Sequence, residues 1–95
     1  MVTHVVFFRF KDKSPAHLAD IKARIESLRE VVPVIRHLEV GIDVLHEERS
    51  WDLALIARFD SLEDLDRYQK HPAHVEVAQY IVSVREASAA VDYAS

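Results

Sequence analysis

The stretch "THVVFFRFK", residues 3–11, decides the fold because it is apolar in both phases of a two-residue repeat. Val6, Phe8 and Phe10 fall on one face of such a strand, and Val5 and Phe7 on the other. A strand that is apolar on both faces belongs inside a sheet. It needs cover on both sides, since each Val or Phe left in water forgoes about 1.5–3 kcal/mol of burial.

The rest of the chain supplies cover for one of those faces. Ser14 offers a capping hydroxyl, and Pro15 carries the fixed φ that suits a first helical position. Leu18, Ile21, Ile25, Leu28 and Val32 follow at spacings of three and four, which predicts one amphipathic helix ending before Pro33. In residues 35–44, Leu38, Val40, Ile42 and Val44 alternate with Glu39, Gly41 and Asp43, as in an edge strand with one covered face. "HEERS", residues 46–50, reads as a wet hairpin loop. In "WDLALIARF", residues 51–59, Trp51, Leu53, Leu55, Ala57 and Phe59 alternate with Asp52, Ala54, Ile56 and Arg58, so the middle of this third strand is again apolar on both sides.

Residues 61–64 open a second helix in the manner of a capping box, with Leu62, Leu65 and Tyr68 on its inner side. Pro72 lacks a donor and clashes with the preceding turn, so the helix breaks near His71. It restarts at Pro72 and runs through Val75, Ala78 and either Ile81 or Val82 to about Glu86, before a last strand over residues 87–93. The order is βαββαβ within a single domain, residues 1–95. The expectation is an α+β, ferredoxin-like antiparallel four-stranded sheet, with helices on one face and strands one and three central. The opposite face needs a second sheet. The simplest source is another copy of the chain, giving a homodimer with two sheets face to face, a dimeric α/β barrel.

Composition narrows the function. Twelve basic and 16 acidic residues give a net charge of −4, and the cations are dispersed, so no nucleic acid partner is expected. The apolar run near the start, residues 5–8, is too short for a signal core or a span, so no membrane partner is expected either. The chain has no cysteine, which excludes disulfides and thiolate metal sites, and it reads as a soluble cytoplasmic protein. Its hydrophobic fraction is 49% although it has a single glycine, so the excess lies in side chains that a partner surface would bury.

Chemistry concentrates in "YQKHPAHV", residues 68–75. Helical spacing makes Tyr68 and His71 neighbours, and likewise His71 and His74. His74 falls in the first turn of the restarted helix, where free N–H groups and the positive dipole end disfavour imidazolium, leaving a neutral base. A phenol beside such a base can donate to an oxygen on which charge develops, the pairing that carbonyl enolisation requires. Against this, a tyrosine on an apolar helix face is commonly a core residue with its hydroxyl at the rim. His71 is expected to satisfy backbone carbonyls freed by the break, and is also a candidate pocket residue. His4 begins the face of Val6 and Phe8 and is either a satisfied core histidine or a pocket wall. HxxH spacing at His71 and His74 lacks a third ligand, so no metal and no other cofactor is expected. His17, His37 and His46 are expected to be solvated.

The opening "HVVFFRFKD", Pro33, "VGIDV" at residues 40–44 and above all "YQKHPAHV" resemble the stress-responsive α/β barrel (Dabb) domain family of the dimeric α+β barrels. The likeness runs from His4 to about Tyr93. Polyketide cyclases of plants in that family imply a catalytic base at His74, a catalytic tyrosine at Tyr68 and a pocket histidine at His4. Leu53 stands where those cyclases have a further histidine, and Ile21 and Ile25 where they have aromatics. The expectation is a small apolar pocket lined by His4, Val6, Phe8, Ile21, Ile25, Leu55 and His71, suited to a carbonyl or phenolic ligand. The rival expectations are a noncatalytic stress-response dimer and a cofactor-free monooxygenase.

Overall fold

β1 (Val2–Phe10) lies between two antiparallel neighbours in the computed structural model, which describes residues 1–95. Along the chain follow α1 (Pro15–Glu26), α2 (Leu28–Val31), β2 (His37–Ile42), β3 (Leu53–Phe59), α3 (Leu62–Lys70), α4 (Pro72–Val84) and β4 (Arg85–Ala94). The sheet order is β2-β3-β1-β4, so β1 and β3 are central and β2 and β4 form the edges. This is the ferredoxin-like βαββαβ arrangement, with each helical crossover divided into two segments.

The first division falls at Ser27. Its backbone remains helical, but its hydroxyl donates to the Arg24 carbonyl at 2.7 Å, a local bond that competes with regular helix geometry. The expected single helix is therefore two, yet Leu18, Ile21, Ile25, Leu28 and Val32 are all buried. The second division is the one expected at Pro72. His71 adopts an extended backbone (φ −63°, ψ 134°), as the residue before a proline prefers.

The core fills the space between the helices and one sheet face. Phe10, Ile21, Ala57 and Phe59 are completely enclosed there, alongside Val6, Phe8, Leu53 and Leu55. Several side chains depart from expectation. Leu62 is 69% exposed, because the inner side of α3 is carried by Leu65 and Tyr68. In α4 the face against the core is Ala73, Val77 and Ile81, and Val75 and Val82 are exposed. The helix ends at Val84, two residues before the expected Glu86, and passes directly into β4. Val44 lies beyond β2 and is exposed. His17 is not solvated: its ring meets Phe10 edge-on and its Nδ1 donates to the Asp12 carbonyl at 2.9 Å.

The other sheet face has no cover within the protomer. Registry aligns Ile56, Val5 and Val91 in one row, and Ala54, Phe7 and Ala89 in the next. Phe7 is 39% and Val91 61% exposed.

Candidate functional site

A cavity of about 210 Å³ lies between the helix-facing side of the sheet and α4. Its floor is β1, through His4, Val6 and Phe8, with Leu55 of β3 beside them. Ile25 and Leu28 close one side, and α4 roofs it with Val77, Ala78 and Ile81. Period-two alternation puts His4, Val6 and Phe8 on the same face, so the histidine enters an apolar wall by strand geometry alone.

Tyr68, in the last turn of α3, is 1% exposed and packs against Phe59 with ring centres 5.0 Å apart. Burial pushes its phenol up to about 12, so it is a neutral donor at neutral pH. No protein group bonds its hydroxyl, yet no polar side-chain atom is sealed without a partner, so that hydroxyl opens onto the cavity it lines.

His74 sits in the first turn of α4 with its ring 4.4 Å from that of Tyr68. Its Nδ1 donates to the Gln69 carbonyl at 3.0 Å, which leaves the lone pair of the neutral ring on Nε2. Burial lowers its pKa below the usual 6.5, outweighing the Gln69 bond, and the neighbouring His4 and His71 act in the same direction as burial. A neutral base therefore stands beside a neutral phenol at neutral pH.

His4 meets Tyr68 edge-on at 6.2 Å. Its Nδ1 donates to the carboxylate of Asp92, opposite it on β4, which fixes the proton on Nδ1. Asp92 is not among the residues expected at the site from the sequence. The signal was there, because Asp92 is the one charge in residues 87–95.

Of the expected pocket residues, His4, Val6, Phe8, Ile25, Leu55, Tyr68 and His74 line the cavity. Ile21 is enclosed in the core instead, and Leu53 likewise. His71 also stands outside the cavity. Its Nδ1 accepts from the Ala73 N–H at 3.1 Å, so it caps α4 by serving a free donor rather than the freed carbonyls that were expected to hold it. Arg85 and Ser88 at the mouth were not anticipated. No three His, Cys, Asp or Glu side chains converge to hold a metal ion, and no helix is long and apolar enough to cross a membrane.

Fold and site together define a ferredoxin-like α+β domain with a helix-roofed cavity and a histidine–tyrosine pair in its wall. The chain belongs to the stress responsive A/B barrel domain family, whose model matches residues 2–95. It is 30% identical, over 98% of its length, to the stress-response A/B barrel domain-containing protein DABB1 of Arabidopsis thaliana, and spans 46% of that relative. Among solved structures it is similar to a dimeric ferredoxin-like protein of unknown function from Bacteroides fragilis, with 33% identity and a TM-score of 0.85 over 99% of this chain and 95% of that one. The hydroxynitrile lyase of Passiflora edulis is 25% identical, with a TM-score of 0.84 over 97% of this chain and 90% of that one.

Proposed function

We propose that the chain forms a homodimer whose protomers each bind a small, partly apolar carbonyl or phenolic compound in the cavity, and that His74 and Tyr68 perform acid–base chemistry on it. The observation that carries this reading is the pairing of two neutral groups with complementary capacities. His74 offers a lone pair at Nε2, and Tyr68 offers an unengaged O–H from the same apolar wall. A carbonyl compound seated there gives the proton next to its carbonyl to His74 Nε2 and receives a hydrogen bond from Tyr68 on the oxygen that becomes negative. His74 then returns the proton to the product, as in an aldol-type cyclisation. Apolar walls favour the reaction by keeping water from competing for that hydrogen bond.

The dimer rests on the uncovered rows of Val5, Phe7, Ile56 and Val91, together with the dimeric relative from Bacteroides fragilis. Support for carbonyl chemistry comes from the hydroxynitrile lyase, since a hydroxynitrile is the cyanide adduct of a carbonyl compound. The test is to identify by native mass spectrometry any compound that copurifies, and to screen linear polyketide thioesters and small quinols for turnover. A substrate turned over by His74→Ala at the wild-type rate, with the fold intact, would show that the pair is structural.

A further inference from the structure

The mouth of the cavity is defined by a sheet irregularity that nothing in the acid–base pair explains. β4 pairs Ser88 with Phe8 and Ala87 with Arg9, but then Arg85 with Phe10, so the register slips by one residue between Arg9 and Phe10. In a regular strand, residues three apart point to opposite faces. The extra residue reverses that phase and sends Arg85 and Ser88 to the same side, the side of the cavity, as bulges beside functional sites commonly do. Both residues line the mouth, and Arg85 Nη1 donates to Ser88 Oγ.

Arg85 is a half-buried cation against an apolar wall. Arg24, Arg36, Arg49 and Arg67 have carboxylate partners in Asp20, Asp60, Glu47 and Asp64, whereas Arg9, Arg29, Arg58 and Arg85 have none, and of these Arg85 alone lines the cavity. Arg85 has only the neutral Ser88 hydroxyl. Because that hydroxyl accepts from Arg85, its own proton remains free to donate. A planar guanidinium with an adjacent O–H matches a carboxylate, which can take two parallel N–H bonds and a third from the hydroxyl. The placement along the sheet is also telling. Ser88 lies opposite Phe8 and Asp92 opposite His4, so the cationic mouth and the histidine end are four strand residues apart, about 13 Å at ~3.3 Å per residue.

We infer that the ligand of this cavity carries a carboxylate, held by Arg85 and Ser88 at the mouth, while its carbonyl or phenolic end reaches Tyr68 and His74. This rests on the ligand-binding reading above and adds the charge and polarity of the ligand to it. Arg85 is then a specificity residue that orients the ligand, with no part in the proton transfer.

The test uses 9-oxodecanoate and its uncharged primary amide, an apolar ketone pair that differs only in the anion and whose carbonyl and carboxylate lie eight bonds apart, titrated by calorimetry into the protein at neutral pH. The wild type should bind the acid about tenfold or more tightly than the amide, as expected for a charge-assisted pair. In Arg85→Gln acid and amide should bind equally, and Arg85→Lys should restore part of the preference, with circular dichroism confirming that both variants are folded. Equal binding of acid and amide by the wild type, or a preference that survives in Arg85→Gln, would overturn the carboxylate assignment while leaving the cavity reading intact. Failure of both probes to bind the wild type at millimolar concentration would overturn the cavity reading and this inference with it.

Discussion

Tyr68 and His74 belong to different helices, yet their ring centres are 4.4 Å apart and tilted by 51°. A continuous helix would keep them apart, because six residues at about 100° each leave two side chains roughly 120° apart around the axis and about 9 Å along it. The extended backbone of His71 ends α3, and Pro72 starts α4 in a new phase that turns His74 back toward Tyr68. The break therefore builds the pair, and the residue at the break has only a capping part in it.

With a substrate in hand, His74→Ala should lower turnover by on the order of 10² to 10⁴, the range for loss of a positioned general base. Tyr68→Phe should cost less, since it removes one hydrogen bond to a charged oxygen, about 1.5–3 kcal/mol, and leaves the packing against Phe59 in place. Steady-state kinetics on both variants check the order. A larger loss in Tyr68→Phe than in His74→Ala would reverse the assigned roles.

The pH dependence follows from the lowered pKa of His74, caused first by burial. Because the base must be neutral to act, the acid limb of kcat/KM should lie below pH 6.5, the usual histidine value. Stability carries the same signature. Below pH 6.5 the unfolded chain takes up this proton before the folded one does, so stability rises with pH through that window and the contribution is complete above it. Denaturant titrations from pH 5 to 8 should show a steeper acid loss in the wild type than in His74→Ala.

His71 should be separable from the chemistry. Its imidazole Nδ1 accepts from Ala73 N–H at the start of α4, and loss of an N-cap acceptor costs about 0.5–2 kcal/mol. His71→Ala should lower the thermal midpoint by a few degrees, whereas His71→Asn, which keeps an acceptor at the cap, should restore most of it. Ligand affinity that fell in both variants in proportion to one another would return His71 to the pocket.

Most of the architecture was legible because period-two and period-3.6 patterns report directly on which faces are buried. The alternation in β1 and β3 identified the central strands, and Ser14–Pro15 and Pro72 marked helix starts that the structure retains. His4, Tyr68 and His74 were readable as cavity residues since a strand face and a proline break locate them locally. Asp92, Arg85 and Ser88 were not, because their roles depend on pairing across the sheet. Asp92 matters only through its registry with His4, and Arg85 faces the cavity only through a register slip opposite Phe10. The Ser27 division was missed for a related reason, since the buried spacing continues unbroken across it while a side-chain hydroxyl alters the backbone pairing.

The uncovered sheet face yields the last prediction, which concerns assembly. Phe7 projects from β1 beside Trp51, with ring centres 6.4 Å apart, and Arg9 stacks over the same indole at 4.3 Å. Since Trp51 is the single tryptophan of the chain, its emission reports on this face alone. If a second sheet covers the rows of Phe7 and Val5, sedimentation should give two chains per particle, and dilution toward dissociation should shift Trp51 emission to the red as water reaches it. A charge in that interface would have to be desolvated without a partner, which costs several kcal/mol. Phe7→Asp or Ile56→Lys should therefore convert the dimer into a monomer of lower thermal stability, and the stability of the wild type should rise with its own concentration, as linkage requires of a dimer. A wild-type monomer at micromolar concentration with native circular dichroism would mean that the face is tolerated in water, and the dimer would have to be abandoned.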